Sequence, residues 1–204
     1  MIYVKKMPNT DKELSDKLIS KGWKQLKEPS SLGKTILFSI PFMYINGTIS
    51  IFIASYLYLP MKELLSNGLG FSFSLTIGLR TLIYVAIIFV FMGVHEFIHA
   101  CFIPNVLKSE KTFWGINGIY GFITTTEKIK KSRFLIISIM PFILLSVVLP
   151  FIFNFFGWLN GYTIFLCLIN AMGSCVDCLN IVLIATQVPN GSYIINNGFE
   201  TYFK

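Results

Sequence analysis

One short stretch of the chain carries residues whose types and spacing do chemistry. His95-Glu96-Phe97-Ile98-His99 reads H-E-x-x-H. On a helix, residues i and i+4 share a face, so the two imidazoles can converge on one cation. Neutral imidazole nitrogens suit Zn²⁺, and a carboxylate must take the proton from an attacking water. Glu96 is placed for that second role. His95 and His99 are the only 2 histidines in the protein. The bland alternative is a pair of core histidines satisfied by hydrogen bonds. It is disfavoured because ionisable groups inside an apolar helix are expensive and functional by default.

The elements that must position this motif are set by composition. Of 204 residues, 54% are apolar and 13% charged, against ~25% charged in an average soluble domain. Mean hydropathy is +0.67. These values exclude a disordered chain, which needs low hydrophobicity and high charge. They also exclude an ordinary soluble enzyme, whose core could not hide so much apolar surface, and point to lipid as the solvent. Four apolar runs, at about 35–59, 81–103, 134–156 and 162–188, each exceed the ~20 residues needed to cross the hydrocarbon core. Residues 69–79 are also apolar, and either lie in the interface or extend the second helix. The expected fold is therefore all-α and integral to the membrane, with about four transmembrane helices.

Charge gives the orientation. The chain carries a net +7, and its basic residues cluster at the edges of the apolar runs. The N-terminal segment holds Lys5, Lys6, Lys12, Lys17, Lys21, Lys24, Lys27 and Lys34. The loop 104–133 adds Lys108, Lys111, Lys128, Lys130, Lys131 and Arg133. The loop 60–80 has only Lys62 and Arg80, and the turn near 157–161 has no basic residue. Under the positive-inside rule both termini face the cytoplasm. The same lysines suit anionic lipid headgroups. No Arg-rich or RNA-binding motif is present, so nucleic acid is not an expected partner.

Residues 1–34 form a basic cytoplasmic or interfacial segment, and 35–204 the membrane-embedded domain. The segment lacks the early apolar core and cleavage site of a signal peptide. Thr10-Asp11-Lys12-Glu13 reads as a capping box, opening a short amphipathic helix with Leu14 and Leu18 on one face and ending at Gly22. Trp23 and Leu26 among lysines read as a membrane-surface anchor or as part of a solvated tail. Within the loop 104–133, residues 113–126 are rich in strand formers punctuated by Gly and Asn. They predict one or two short hairpins on the cytoplasmic side. Cys101, Cys167, Cys175 and Cys178 all lie in apolar runs, which argues against a disulfide framework.

A third metal ligand is also legible. Only two acids, Glu96 and Asp177, fall inside the four runs. At ~1.5 Å per residue both lie ~24–26 Å from the outer ends of their helices, close to the cytoplasmic face. The two helices run the same way, so Asp177 can meet His95 and His99 at one level. Cys175 and Cys178 compete, since zinc accepts thiolate readily. A buried Cys is content as a small hydrophobe, whereas a buried Asp without a basic neighbour is not. Asp177 is therefore the expected ligand.

These residues resemble the intramembrane zinc metalloproteases of the site-2 protease type, and more narrowly the bacterial putative zincin peptidases of that clan. The resemblance covers most of the chain. It runs through Gly22-Trp23-Lys24-Gln25-Leu26-Lys27-Glu28-Pro29, His95-Glu96-Phe97-Ile98-His99-Ala100 and Met140-Pro141-Phe142-Ile143-Leu144. It continues through Asn170-Ala171-Met172-Gly173-Ser174-Cys175-Val176-Asp177 and Val188-Pro189-Asn190-Gly191. The clan's Leu-Asp-Gly reads Val176-Asp177-Cys178 here, and the Pro that commonly follows its Asn is absent. The resemblance implies residence in a bacterial cell membrane and hydrolysis of peptide bonds within or beside the bilayer. It implies zinc held by His95, His99 and Asp177, with Glu96 as general base. The substrate would be a peptide or a transmembrane segment that unwinds and adds as a strand to the 113–126 region. Asn170 either holds substrate backbone or packs helices together. Two other classes compete. One is a non-catalytic metal-binding membrane protein, a sensor or partner-binding pseudoprotease, against which the retained Glu96 argues. The other is an ion or metal transporter, for which two lone acids are few.

Overall fold

The computed structural model describes residues 1–67, 78–117 and 120–204. Expectations for residues 69–77, and for the tip of the 113–126 region at 118–119, lie outside the described residues. Four helices among the described residues are long and apolar enough to cross a membrane: Leu32–Leu57, Leu79–Phe102, Lys131–Phe155 and Gly161–Gln187. Each begins one to three residues before its expected start. We number the helices α1 (Lys12–Ser20), α2 (Leu32–Leu57), α3 (Leu59–Asn67) and α4 (Leu79–Phe102). The third span comprises α5 (Lys131–Phe142), a π-helical stretch Ile143–Val148 and α6 (Leu149–Phe155). The fourth is α7 (Gly161–Gly173) and α8 (Cys175–Gln187). This fourth span, expected as one helix, breaks at Ser174, where ψ opens to 7°.

The spans bury small and polar residues and expose large apolar ones. In α2 the buried positions are Ser39, Asn46, Gly47, Ser50 and Ala54, while Phe38, Tyr44, Phe52 and Tyr56 face outward. That inverted pattern suits a lipid solvent, where close packing of small residues replaces the hydrophobic drive between helices. A Cβ on Gly47 would stand 3.4 Å from the Met172 side chain, so α2 and α7 approach closely there. At the far end of the bundle, Tyr162 donates its hydroxyl to the Tyr84 carbonyl at 2.6 Å. Helices α4 and α7 thus start together and run in parallel.

The fold is less purely helical than expected. Two small sheets stand at the other end of the bundle. One has the order β1-β3-β4, from Ile2–Tyr3, Thr112–Asn117 and Tyr120–Thr125. Here β3 and β4 form an antiparallel hairpin, in the predicted 113–126 region, and β1 pairs in parallel with β3. The other sheet has the order β2-β7-β6-β5, from Lys24–Gln25, Glu200–Phe203, Tyr193–Asn197 and Ile129–Lys130. Its centre is a C-terminal hairpin that the sequence reading missed. Gly198, at φ +61°, is the first of two loop residues there, as a type II′ turn requires.

The N-terminal segment is built into this layer. Leu26 is buried beside Ile184, Val188 and Ile194, so it is a core residue and not a surface anchor. Helix α1 is capped by the Asp11 side chain, which accepts from the Glu13 and Leu14 amides. The cap is thus one residue later than the expected Thr10. The Asn197 side chain bonds the Asp11 carbonyl at 2.7 Å and Ser15 Oγ at 3.0 Å, fixing α1 to the C-terminal hairpin.

Two cations counted above as loop charges are structural caps. Lys131 is buried and donates to the Val188 carbonyl at 2.6 Å and the Ala185 carbonyl at 3.2 Å, closing the end of α8. Arg133 Nε donates to the Phe102 carbonyl at 2.7 Å and closes α4. Both place positive charge on the negative ends of helix dipoles.

Gly198 offers a direct check of this layer. A Cβ there would stand 2.7 Å from Asn9 C and Thr10 Cα, and its φ is one that L residues rarely adopt. Gly198→Ala is expected to cost about 1–3 kcal/mol, read as a lower unfolding midpoint in detergent. Gly33→Ala, with nothing within 4 Å, should leave the midpoint unchanged or raise it. Equal midpoints for the two variants would contradict the packing described.

Candidate metal centre

The motif lies in the last two turns of α4, just before its Arg133 cap. His95 is 4% exposed. Its Nε2 stands 3.2 Å from His99 Nε2, as the i, i+4 spacing predicts for one face. From α8, Asp177 reaches both rings: Oδ2 is 3.4 Å from His95 Nε2, and Oδ1 is 3.5 Å from His99 Nε2. One ligand atom from each of the three residues fits within a 4.8 Å span.

These donors fit a zinc ion chemically. Each ring turns its Nδ1 away, His95 to Asn170 Oδ1 at 2.8 Å and His99 to the Ile137 carbonyl at 2.8 Å. Both Nε2 atoms and the carboxylate then converge on one point. Three electron-rich groups facing each other in an apolar bundle repel unless a cation or protons sit between them. Two imidazoles and one carboxylate are a donor set that Zn²⁺ accepts with a fourth position open.

Glu96 points elsewhere. Its side chain lies against β4, with Cγ 3.5 Å from where a Cβ on Gly121 would stand. It is therefore held against the strand and not among the three ligand atoms. A cavity of about 140 Å³ adjoins the centre, lined by His99, Asp177, Thr124, Thr125, Asn180 and Asn196. Thr124 and Thr125 fall in the 113–126 region expected to receive substrate, whereas Asn180 and Asn196 were not singled out in the sequence.

The two cysteines that competed with Asp177 face another way. Cys175 Sγ lies 3.3 Å from Ser39 Oγ, and Cys178 Sγ 3.3 Å from Asn46 Nδ2, both on α2. Asn170 is fully buried, and every polar atom of its amide is spent inside the protein. Oδ1 meets His95, and Nδ2 meets Ser146 Oγ at 2.8 Å and the Pro141 carbonyl at 3.2 Å. In this structure it lies between helices, bonded to His95, Ser146 and Pro141.

A family model described as putative zincin peptidase matches residues 88–193. That stretch contains His95, Glu96, His99, Asn170 and Asp177. No curated protein and no solved structure matches the chain.

Zinc content separates the candidate ligands. Purified Asp177→Ala should lose most of the zinc that wild type retains, while Cys175→Ser and Cys178→Ser keep it. Full zinc in Asp177→Ala, with loss in either cysteine variant, would reverse the assignment.

Proposed function

The chain belongs to the putative zincin peptidase family, and on that premise we propose that it is an intramembrane zinc metalloprotease of site-2 protease type. It hydrolyses peptide bonds of membrane-associated substrates. The observation that carries this reading is the meeting of three ligand atoms inside an apolar helix bundle, with Glu96 held beside them on a strand edge.

When bound, Zn²⁺ supplies a Lewis acid that polarises a carbonyl and lowers the pKa of water toward ~7. His95, His99 and Asp177 hold it. Glu96 takes the proton of the attacking water and passes it to the leaving amine.

The substrate lies as an extended strand along β4. This strand is an edge of its sheet, and β1 covers the opposite edge, so addition is directed to the side that faces the centre. Thr126 N–H bonds the Lys111 carbonyl, and antiparallel ladders alternate. By that alternation the backbone groups of Gly121, Ile123 and Thr125 face away from β3. A helical substrate has its carbonyls occupied by intrahelical bonds. A transmembrane substrate must unwind before its carbonyls reach the centre.

Both termini and the sheet layer face the cytoplasm in this reading, as the lysine distribution supports. Ser109 is buried and bonded to Glu127, so exposed positions serve better as topology probes. In a variant lacking native cysteines, Leu107→Cys and Asn190→Cys should react with an impermeant maleimide only after cells are permeabilised. Reaction at either position in intact cells contradicts the topology.

Glu96→Gln should keep its zinc and lose activity by roughly 10²–10⁴-fold, measured on peptides that wild type cleaves from a mixed library. Near-wild-type turnover in that variant would remove Glu96 from the mechanism.

A further inference from the structure

Neither ring of the metal centre is positioned by a carboxylate; a backbone carbonyl and an amide oxygen take that place. Both depend on one stretch of α5. His99 Nδ1 meets the Ile137 carbonyl. In a regular helix that carbonyl accepts the N–H of the residue four positions later. Here that residue is Pro141, which has no N–H to give. The carbonyl is therefore available, and the His99 ring takes it.

The His95 ring is set by the same proline through its other end. The Pro141 carbonyl accepts Asn170 Nδ2 at 3.2 Å. Ser146, in the π-helical stretch that follows, donates its hydroxyl to the Cys167 carbonyl at 2.9 Å, so its oxygen is left to accept the second Nδ2 hydrogen at 2.8 Å. Two acceptors on Nδ2 fix which way the amide faces, and Oδ1 must point at His95. An oxygen that can only accept requires His95 Nδ1 to carry the proton. A carbonyl imposes the same on His99. With Nδ1 so engaged, both Nε2 atoms face the metal position beside Asp177.

We propose that Pro141 is a positioning residue of the metal centre: its missing N–H releases the Ile137 carbonyl to orient His99, and its own carbonyl orients Asn170 and thereby His95. The proposal rests on the metal-centre reading above. It adds a function to a proline that is fully buried and touches no ligand directly.

Pro141→Ala is the test, because the two possible roles of this proline predict different results. Alanine restores an N–H that competes for the Ile137 carbonyl, and it suits a helix better than proline. The variant should fold, with an unfolding midpoint near wild type, and yet bind Zn²⁺ about 10–100-fold more weakly. Asn170→Leu should weaken binding by a similar factor. Pro41→Ala makes the same chemical change inside α2, away from the histidines, and should leave affinity unchanged.

With only 2 histidines in the chain, ¹⁵N-imidazole NMR of the metal-free protein reads each tautomer separately. Wild type should hold both rings as Nδ1–H. Pro141→Ala should disturb His99 first, and Asn170→Leu should disturb His95 alone. Unchanged affinity and an unchanged His99 tautomer in Pro141→Ala would overturn the proposal. A wild type that binds no Zn²⁺ would instead overturn the metal-centre reading, and the wild-type titration alone tells the two failures apart.

Discussion

Two imidazoles and a carboxylate face one another inside a bundle whose other buried residues among those described, the Lys131 cap apart, are uncharged, and the rest of the structure accommodates that convergence. Left alone, these groups repel and are poorly solvated. A divalent cation turns the same arrangement into a net attraction. The surrounding devices all act on where those ligand atoms stand. Arg133 closes α4 just beyond His99, Lys131 closes α8 ten residues after Asp177, and the break at Ser174 separates the helix that carries Asn170 from the helix that carries Asp177.

The second constraint is access. A peptide bond in a transmembrane helix has its carbonyl occupied, and an apolar bundle offers no polar groups to receive a freed backbone. The small sheets supply them. β1 covers the far edge of the β3–β4 hairpin, which leaves β4 as the edge beside the centre. Gly121 brings that edge against the Glu96 side chain. In the proposed mechanism one strand therefore serves both the general base and the incoming chain.

What the sequence made legible, and what it hid, follows from the range of the interactions. His95 and His99 were readable because i, i+4 geometry is local. Asp177 was readable because a lone acid in an apolar run is costly wherever it points. The four spans were readable from length alone. The strands β1, β2 and β5 have two residues each and exist only through their distant partners, so no local pattern announces them. The C-terminal hairpin did carry a signal, Asn197-Gly198 between strand formers, but it follows directly on an apolar run that dominates the region. Leu26 looked like a surface anchor among lysines because only tertiary packing places it against Ile184 and Ile194. Pro141 was visible as a residue. Its effect was not, since that depends on which side chain meets the carbonyl it leaves free.

The identity of the atoms around the metal decides whether this is a zinc centre of the proposed kind. Zinc K-edge X-ray absorption on the purified wild-type protein measures them directly. The expected spectrum has nitrogen and oxygen neighbours at ~2.0–2.2 Å and no sulfur, as two imidazoles, Asp177 and one further oxygen require. A sulfur shell at ~2.3 Å, or a protein that purifies without zinc and cannot be loaded with it, would contradict a centre built from His95, His99 and Asp177.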